Sequence, residues 1–107
     1  MASYRRSNAM SQPSSSIIVR VINPEGLHLR PAGLFAQLAN RYDAKVEIIK
    51  DGDRFDGKSA LSILTLVAEQ GTELCIKATG SDAQAALQAL TELVEQGFPG
   101  PETAEKT

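Results

Sequence analysis

The chain of 107 residues contains no tryptophan, a single cysteine, a single histidine, two tyrosines and three phenylalanines. One cysteine, Cys75, rules out an internal disulfide, and with one histidine there is no Cys/His set for a structural zinc. Cys75 falls in an apparent strand and reads as an inert packed thiol, in keeping with a reducing, cytoplasmic compartment. No apolar run approaches the roughly 20 residues that span a bilayer, and Met1–Ser15 lacks the apolar core of a secretory signal. Eleven basic against thirteen acidic residues give a net charge of −2, which leaves no basic footprint for nucleic acid. Also missing are a glycine-rich nucleotide cradle, a magnesium site, an acid/base pair and a nucleophile elbow. A self-contained hydrolase or phosphatase would therefore lack its machinery, and no cofactor or metal is expected.

What the chain does have is enough apolar material for one small domain, 42% of its residues. Met1–Ser15 is polar and serine-rich, and Ser7-Asn8-Ala9-Met10 has the form of a scar left by a cleaved expression tag. Residues 1–15 are expected to be a disordered tail with Met10 as the natural start. Residues 16–98 form the domain, and 99–107 a polar C-terminal tail. Ile17–Ile22 reads as a strand with Ile17, Val19 and Val21 on one face. Asn23-Pro24-Glu25-Gly26 is a turn, and Pro31–Tyr42 has helical spacing in Leu34, Phe35, Leu38, Ala39 and Tyr42. Ala44–Lys50 alternates, and Asp51-Gly52-Asp53 turns it into a short strand around Arg54-Phe55-Asp56. Ser59–Val67 reads as a short helix, Glu73–Ala78 as a strand and Asp82–Gln96 as a long helix. Ser81 with Gln84 is the expected capping box of that last helix and Gly97 its stop. Three helices and four strands point to an α+β domain with helices gathered on one side of a sheet.

The lone histidine lies in Gly26-Leu27-His28-Leu29-Arg30-Pro31-Ala32. Proline is favoured at the first helical position, so His28 stands just before a helix N-terminus, where amides and the dipole favour anions. An imidazole of ordinary pKa, about 6.5, is neutral enough near pH 7 to attack phosphorus without a separate base. Arg30 stays charged and suits bidentate pairing with phosphoryl oxygens. Amides from Leu29 to Ala32 are expected to assist it. The phosphoramidate so formed is suited to passing its group on, which makes His28 a relay whose phosphoryl donor sits on another protein.

These residues resemble the active-site signature of HPr, the histidine-containing phosphocarrier of the bacterial sugar phosphotransferase system, Gly-Leu/Ile-His-Ala/Thr-Arg-Pro-Ala. The chain departs from it at Leu29, where a small residue is usual. A second matching block is Gly57-Lys58-Ser59-Ala60-Leu61-Ser62-Ile63-Leu64-Thr65-Leu66, and the likeness runs from Ile17 to Phe98. It implies an open-faced β-sandwich, a four-stranded antiparallel sheet covered by three helices. It implies a monomeric cytoplasmic phosphocarrier, a relay more than a free-standing enzyme. Enzyme I, charged from phosphoenolpyruvate, would phosphorylate His28, and EIIA-type proteins would receive the group.

The short helix is apolar nearly all round. Ala60, Ile63 and Val67 share a face expected to meet the core, while Leu61 and Leu64, joined by Ala68, fall on another. The resemblance makes Leu61 and Leu64 part of a surface for transient partner docking. Ser59 reads most simply as an N-cap; the resemblance adds a regulatory phosphorylation site served by an HPr serine kinase. The residues after it, Ala60 and Leu61, differ from the isoleucine and methionine usual in that motif. The alternative function is a regulatory binding module of an incomplete or nitrogen-type phosphotransferase system controlled through Ser59. In carrier-derived regulators of that kind the histidine is replaced, so His28 favours the carrier.

Overall fold

The computed structural model describes residues 12–100, so the expectations for 1–11 and 101–107 lie outside the described residues. The chain runs β1 (Ser14–Arg20), α1 (Leu29–Ala39), β2 (Lys45–Lys50), β3 (Asp53–Asp56), α2 (Ala60–Thr65), β4 (Glu73–Thr79) and α3 (Ala83–Glu95). The four strands form one antiparallel sheet in the order β1-β4-β2-β3. Alternation sets the two faces, as a strand requires. Val46 and Ile48 of β2 and Leu74, Ile76 and Ala78 of β4 are buried, together with Val19 of β1. Helix faces complete the core with Ala32, Phe35, Ala36 and Ala39 of α1, Ile63 of α2, and Ala86, Leu90 and Val94 of α3. Of the apolar positions at helical spacing in Pro31–Tyr42, Leu34, Leu38 and Tyr42 pack against this core from its flank.

β1 begins three residues before the expected start. Ser14 and Ser15, expected in the tail, pair with Thr79 and Ala78. The first helix stops at Ala39 rather than Tyr42, because the Asn40 side chain donates to the Ala36 and Lys58 carbonyls at 2.8 and 2.9 Å. β2 and β3 are joined through Asp51 and Gly52, both at positive φ (53° and 85°), the backbone of a type I′ hairpin turn.

The expected Ser81–Gln84 capping box is not formed. Asp82 is the N-cap of α3, and its side chain makes no cap bond. Its carboxylate instead accepts the amides of Asp43 and Ala44, at 2.9 and 2.8 Å, tying α3 to the entrance of β2. Gln84 reaches across to the Ser15 hydroxyl at 2.9 Å. The Asp43 amide, above all, holds the Asp82 carboxyl below its usual range; burial opposes this and the Ala44 amide adds to it. A depressed folded-state pKa stabilises above the unfolded-state value, and that stabilisation is lost as pH falls through the folded value. An Asp82→Ala chain is expected to melt lower than the parent at pH 7. The gap should narrow as pH drops below about 4, a trend that melting curves across the acid range would check.

At the other end of α3, Gly97 (φ 76°) and Phe98 donate their amides to Val94 and Leu93, both at 3.0 Å. This is the paired C-terminal bonding of a Schellman motif, with Gly97 at the left-handed position. It buries the Phe98 ring completely, placing its carbonyl where α1 begins.

Candidate functional site

His28 is the N-cap of α1, with extended backbone (φ −81°, ψ −164°) and no cap bond from its side chain. Its residue is exposed. Helix bonding starts when the Ala32 amide donates to the His28 carbonyl at 2.9 Å. Pro31 is therefore the third helical residue, not the first, and carries no amide hydrogen. The expected set of amides from Leu29 to Ala32 reduces to Leu29 and Arg30, whose N–H groups belong to the first turn and point out of its end.

The loop that delivers His28 is pinned from below. Asn23 Nδ2 donates to the Gly26 carbonyl at 2.7 Å, and the Leu27 amide donates to the Ala68 carbonyl at 2.8 Å. Gly26 has φ +68°, and a Cβ there would lie 2.4 Å from the Ala68 oxygen. Only glycine supplies both the left-handed backbone and the close approach. Through these contacts the residues after α2 and the His28 loop form one unit.

Arg30 is turned toward the end of the chain. Its Nη2 donates to the Phe98 carbonyl at 2.8 Å and lies 3.4 Å from Glu25 Oε2. The Glu25 carboxyl is held low, first by a hydrogen bond from its own amide, with desolvation opposing and Asn23 and Arg30 assisting. Glu25 thus occupies Arg30 with a carboxylate in the place where a phosphoryl group is the expected anion. Neither Phe98 nor the Glu25 pairing was anticipated. The Glu25–Arg30 spacing is a local signal, while Phe98, 68 positions away, has none.

His28 shares a shallow depression of about 390 Å³ with Leu27, Leu29, Leu64, Val67, Ala68 and Glu69. Of the two expected docking leucines, Leu64 lines this depression and Leu61 does not, although Leu61 is 74% exposed on α2. Two further apolar residues line the depression. Leu29 is 72% exposed, and Val67, expected in the core, is 63% exposed. The reason is geometric: α2 ends at Thr65 with Leu66 as C-cap, so helical periodicity no longer governs Val67. Leu66 and Ala68 are buried instead, and Ala68 therefore does not join an exposed patch.

Ser59 caps α2, its hydroxyl accepting the Ser62 amide at 3.1 Å while the Ser62 hydroxyl accepts the Asp56 amide at 3.1 Å. Ser59 does not line the His28 depression. No group of three or more His, Cys, Asp or Glu side chains could hold a metal among the described residues. Nor is any helix among them long and apolar enough to cross a membrane.

The family model described as "PTS HPr component phosphorylation site" matches residues 15–96. The phosphocarrier protein HPr of Treponema pallidum is 39% identical over 80 residues, covering 75% of this chain and 91% of that protein. The HPr-like protein Crh of Bacillus subtilis is 41% identical over 71 residues, 66% of this chain and 84% of Crh. The crystal structure of HPr-C-His from Thermoanaerobacter tengcongensis superposes with a TM-score of 0.76 at 33% identity, covering 78% of this chain and 94% of that one. An open-faced antiparallel sheet with three helices, an exposed histidine at a helix start and these similarities converge: the chain belongs to the HPr family of phosphocarrier proteins of the phosphotransferase system.

Proposed function

We propose that His28 takes a phosphoryl group from phosphorylated enzyme I, which draws it from phosphoenolpyruvate, and passes it to a histidine of an EIIA-type protein. The observation that carries this reading is the exposed imidazole at the start of α1, free of any cap bond. A ring-nitrogen lone pair of His28 forms the new N–P bond as the bond from phosphorus to the donor breaks. The second ring nitrogen keeps its proton, so no base is required. Onward transfer to a histidine reverses these roles: the acceptor's lone pair takes phosphorus and His28 leaves as neutral imidazole. First-turn amides of α1 face the transferring oxygens. Arg30 stabilises them by exchanging Glu25 for the phosphoryl group while its bond to Phe98 keeps it near. Leu61 and Leu64 supply apolar contact to partners.

The direct test is incubation with labelled phosphoenolpyruvate and the cognate enzyme I, using the parent and a Ser59→Ala chain. Both should take up an acid-labile, base-stable group and release it to an EIIA-type protein. If a folded chain takes up none from an active enzyme I, the carrier reading fails. The Arg30→Lys chain keeps the charge but loses the planar fork. Its kcat/KM for transfer is expected to fall about tenfold, as measured by rapid quench.

A second reading is a regulatory module controlled through Ser59. It draws support from the similarity to Crh and from the capping position of Ser59, where phosphate oxygens would keep an acceptor at the helix start. An HPr serine kinase would be its partner. Phosphate on serine would be base-labile and would come from that kinase and a nucleoside triphosphate, so a parallel incubation with the kinase, scored by the acid and base lability of the label, separates the two.

A further inference from the structure

Arg30 has two anchors of different strength. Its Nη2 donates to the Phe98 carbonyl at 2.8 Å, and Glu25 Oε2 lies 3.4 Å from the same nitrogen. The first is a good hydrogen bond; the second is long for a charge-assisted one. With side chains 36% and 40% exposed, the Arg30–Glu25 pair is also partly screened by water. Glu25 is nevertheless not a loose surface acid. It sits in the turn that leads to His28, where its own amide and Asn23 favour its charged form, and Asn23 is buried. The carboxylate is therefore kept at the guanidinium by the turn, through a contact weak enough to break.

Phosphorylation of His28 changes this balance. The added group carries a charge of about −2 near pH 7, three residues from Glu25 and two from Arg30. Arg30 then faces two anions. Pairing with the phosphoryl oxygens requires its release from Glu25. The two anions, gathered at one guanidinium, also lie within a Debye length of about 8 Å and repel each other. Both effects fall on the phosphorylated state alone, so they act on the equilibrium between the two states of the chain.

We infer that Glu25 is a positioning residue that works through Arg30 to raise the phosphoryl-transfer potential of the chain. By pairing with Arg30 it stabilises the free carrier, and by contesting Arg30 it destabilises the charged one. Phospho-His28 is thereby a better donor, and free His28 a poorer acceptor. A neutral side chain at position 25 would leave Arg30 committed to the phosphoryl oxygens, and the group would be held more tightly. The inference rests on the carrier reading of His28, and its test keeps the two apart.

The quantity to measure is the equilibrium between phosphoenolpyruvate plus chain and pyruvate plus phosphorylated chain, with enzyme I as catalyst. The phosphorus–oxygen bond of phosphoenolpyruvate breaks, the N–P bond at His28 forms, and the pyruvate enolate takes a proton from solvent at carbon. A catalyst leaves an equilibrium unchanged, so the ratio of phosphorylated to free chain in excess pyruvate reports only the two states of the chain. Intact mass reads that ratio, approached from both sides and well below the melting temperature of every chain compared. Glu25→Gln is expected to raise the equilibrium constant about three- to fivefold. In an Arg30→Gln background the same substitution is expected to change it less than about twofold. An unchanged or lowered constant for Glu25→Gln would overturn the inference. An equal rise in both backgrounds would overturn it as well, because Glu25 would then act without Arg30. Neither result touches the carrier reading, which fails only if the folded parent takes up no phosphoryl group from active enzyme I.

Discussion

A His28→Ala chain is expected to fold like its parent and to carry no acid-labile phosphoryl group. His28 is the sole imidazole in the sequence, so no other residue of that chemistry can take over the N–P bond. Its side chain is exposed and makes no cap bond, so its removal should change stability by no more than about 0.5 kcal/mol. Intact-mass measurement after incubation with phosphoenolpyruvate and enzyme I reads the first effect, and a denaturant titration the second. A substituted chain that still gains an acid-labile phosphate would place the nucleophile elsewhere. One that loses phosphate only because it unfolds would make His28 a structural residue, against its exposure.

The second large effect is expected at Gly26, which touches no phosphoryl group. In a Gly26→Ala chain the new methyl would sit 2.4 Å from the Ala68 carbonyl oxygen and 3.0 Å from the Glu69 Cα, both backbone atoms. The left-handed conformation costs about 1–2 kcal/mol for a residue with a Cβ. Pushing the two loop segments apart also weakens the Leu27–Ala68 hydrogen bond, worth about 1 kcal/mol. With the steric term the loss is about 3 kcal/mol or more. For a domain of this size that is a fall of roughly 10–20 °C in Tm. Transfer from enzyme I should suffer beyond the stability loss, because Leu27 and Ala68 both line the depression with His28. Thermal melts together with transfer rates at a temperature where the variant is folded separate the two. An unchanged melt would show that the close approach does not hold the loop.

Features set by neighbouring residues are legible in the sequence. Asp51-Gly52 has the turn chemistry of a two-residue hairpin, and the hairpin is there. The apolar spacing of α3 and its stop at Gly97 are likewise local, and the His28 motif sits at a helix start as its proline implies. What escapes a sequence reading is decided at a distance. Ser14–Ser16 have no strand preference of their own and become a strand because Lys77–Thr79 lie beside them. Asp82 forgoes its local role as a cap because two amides 38 and 39 positions earlier compete for its carboxylate. Arg30 finds the Phe98 carbonyl only after α3 has closed on the sheet. Val67 was misplaced for another reason: a 3.6-residue period was extended past the point where α2 stops.

The strand order has a consequence for the chain as it is being made. β1 and β2 do not pair with each other; each pairs with β4, which bridges them. His28 is made before the strand that unites the sheet, which follows more than forty residues later, and the carbonyl that anchors Arg30 comes later still. A nascent chain therefore displays the histidine before it has the helix support, the depression or the arginine anchor that make it useful. Because a domain of this kind folds as a unit, the histidine gains its supports together, in a single step that waits for residues as distant as Phe98.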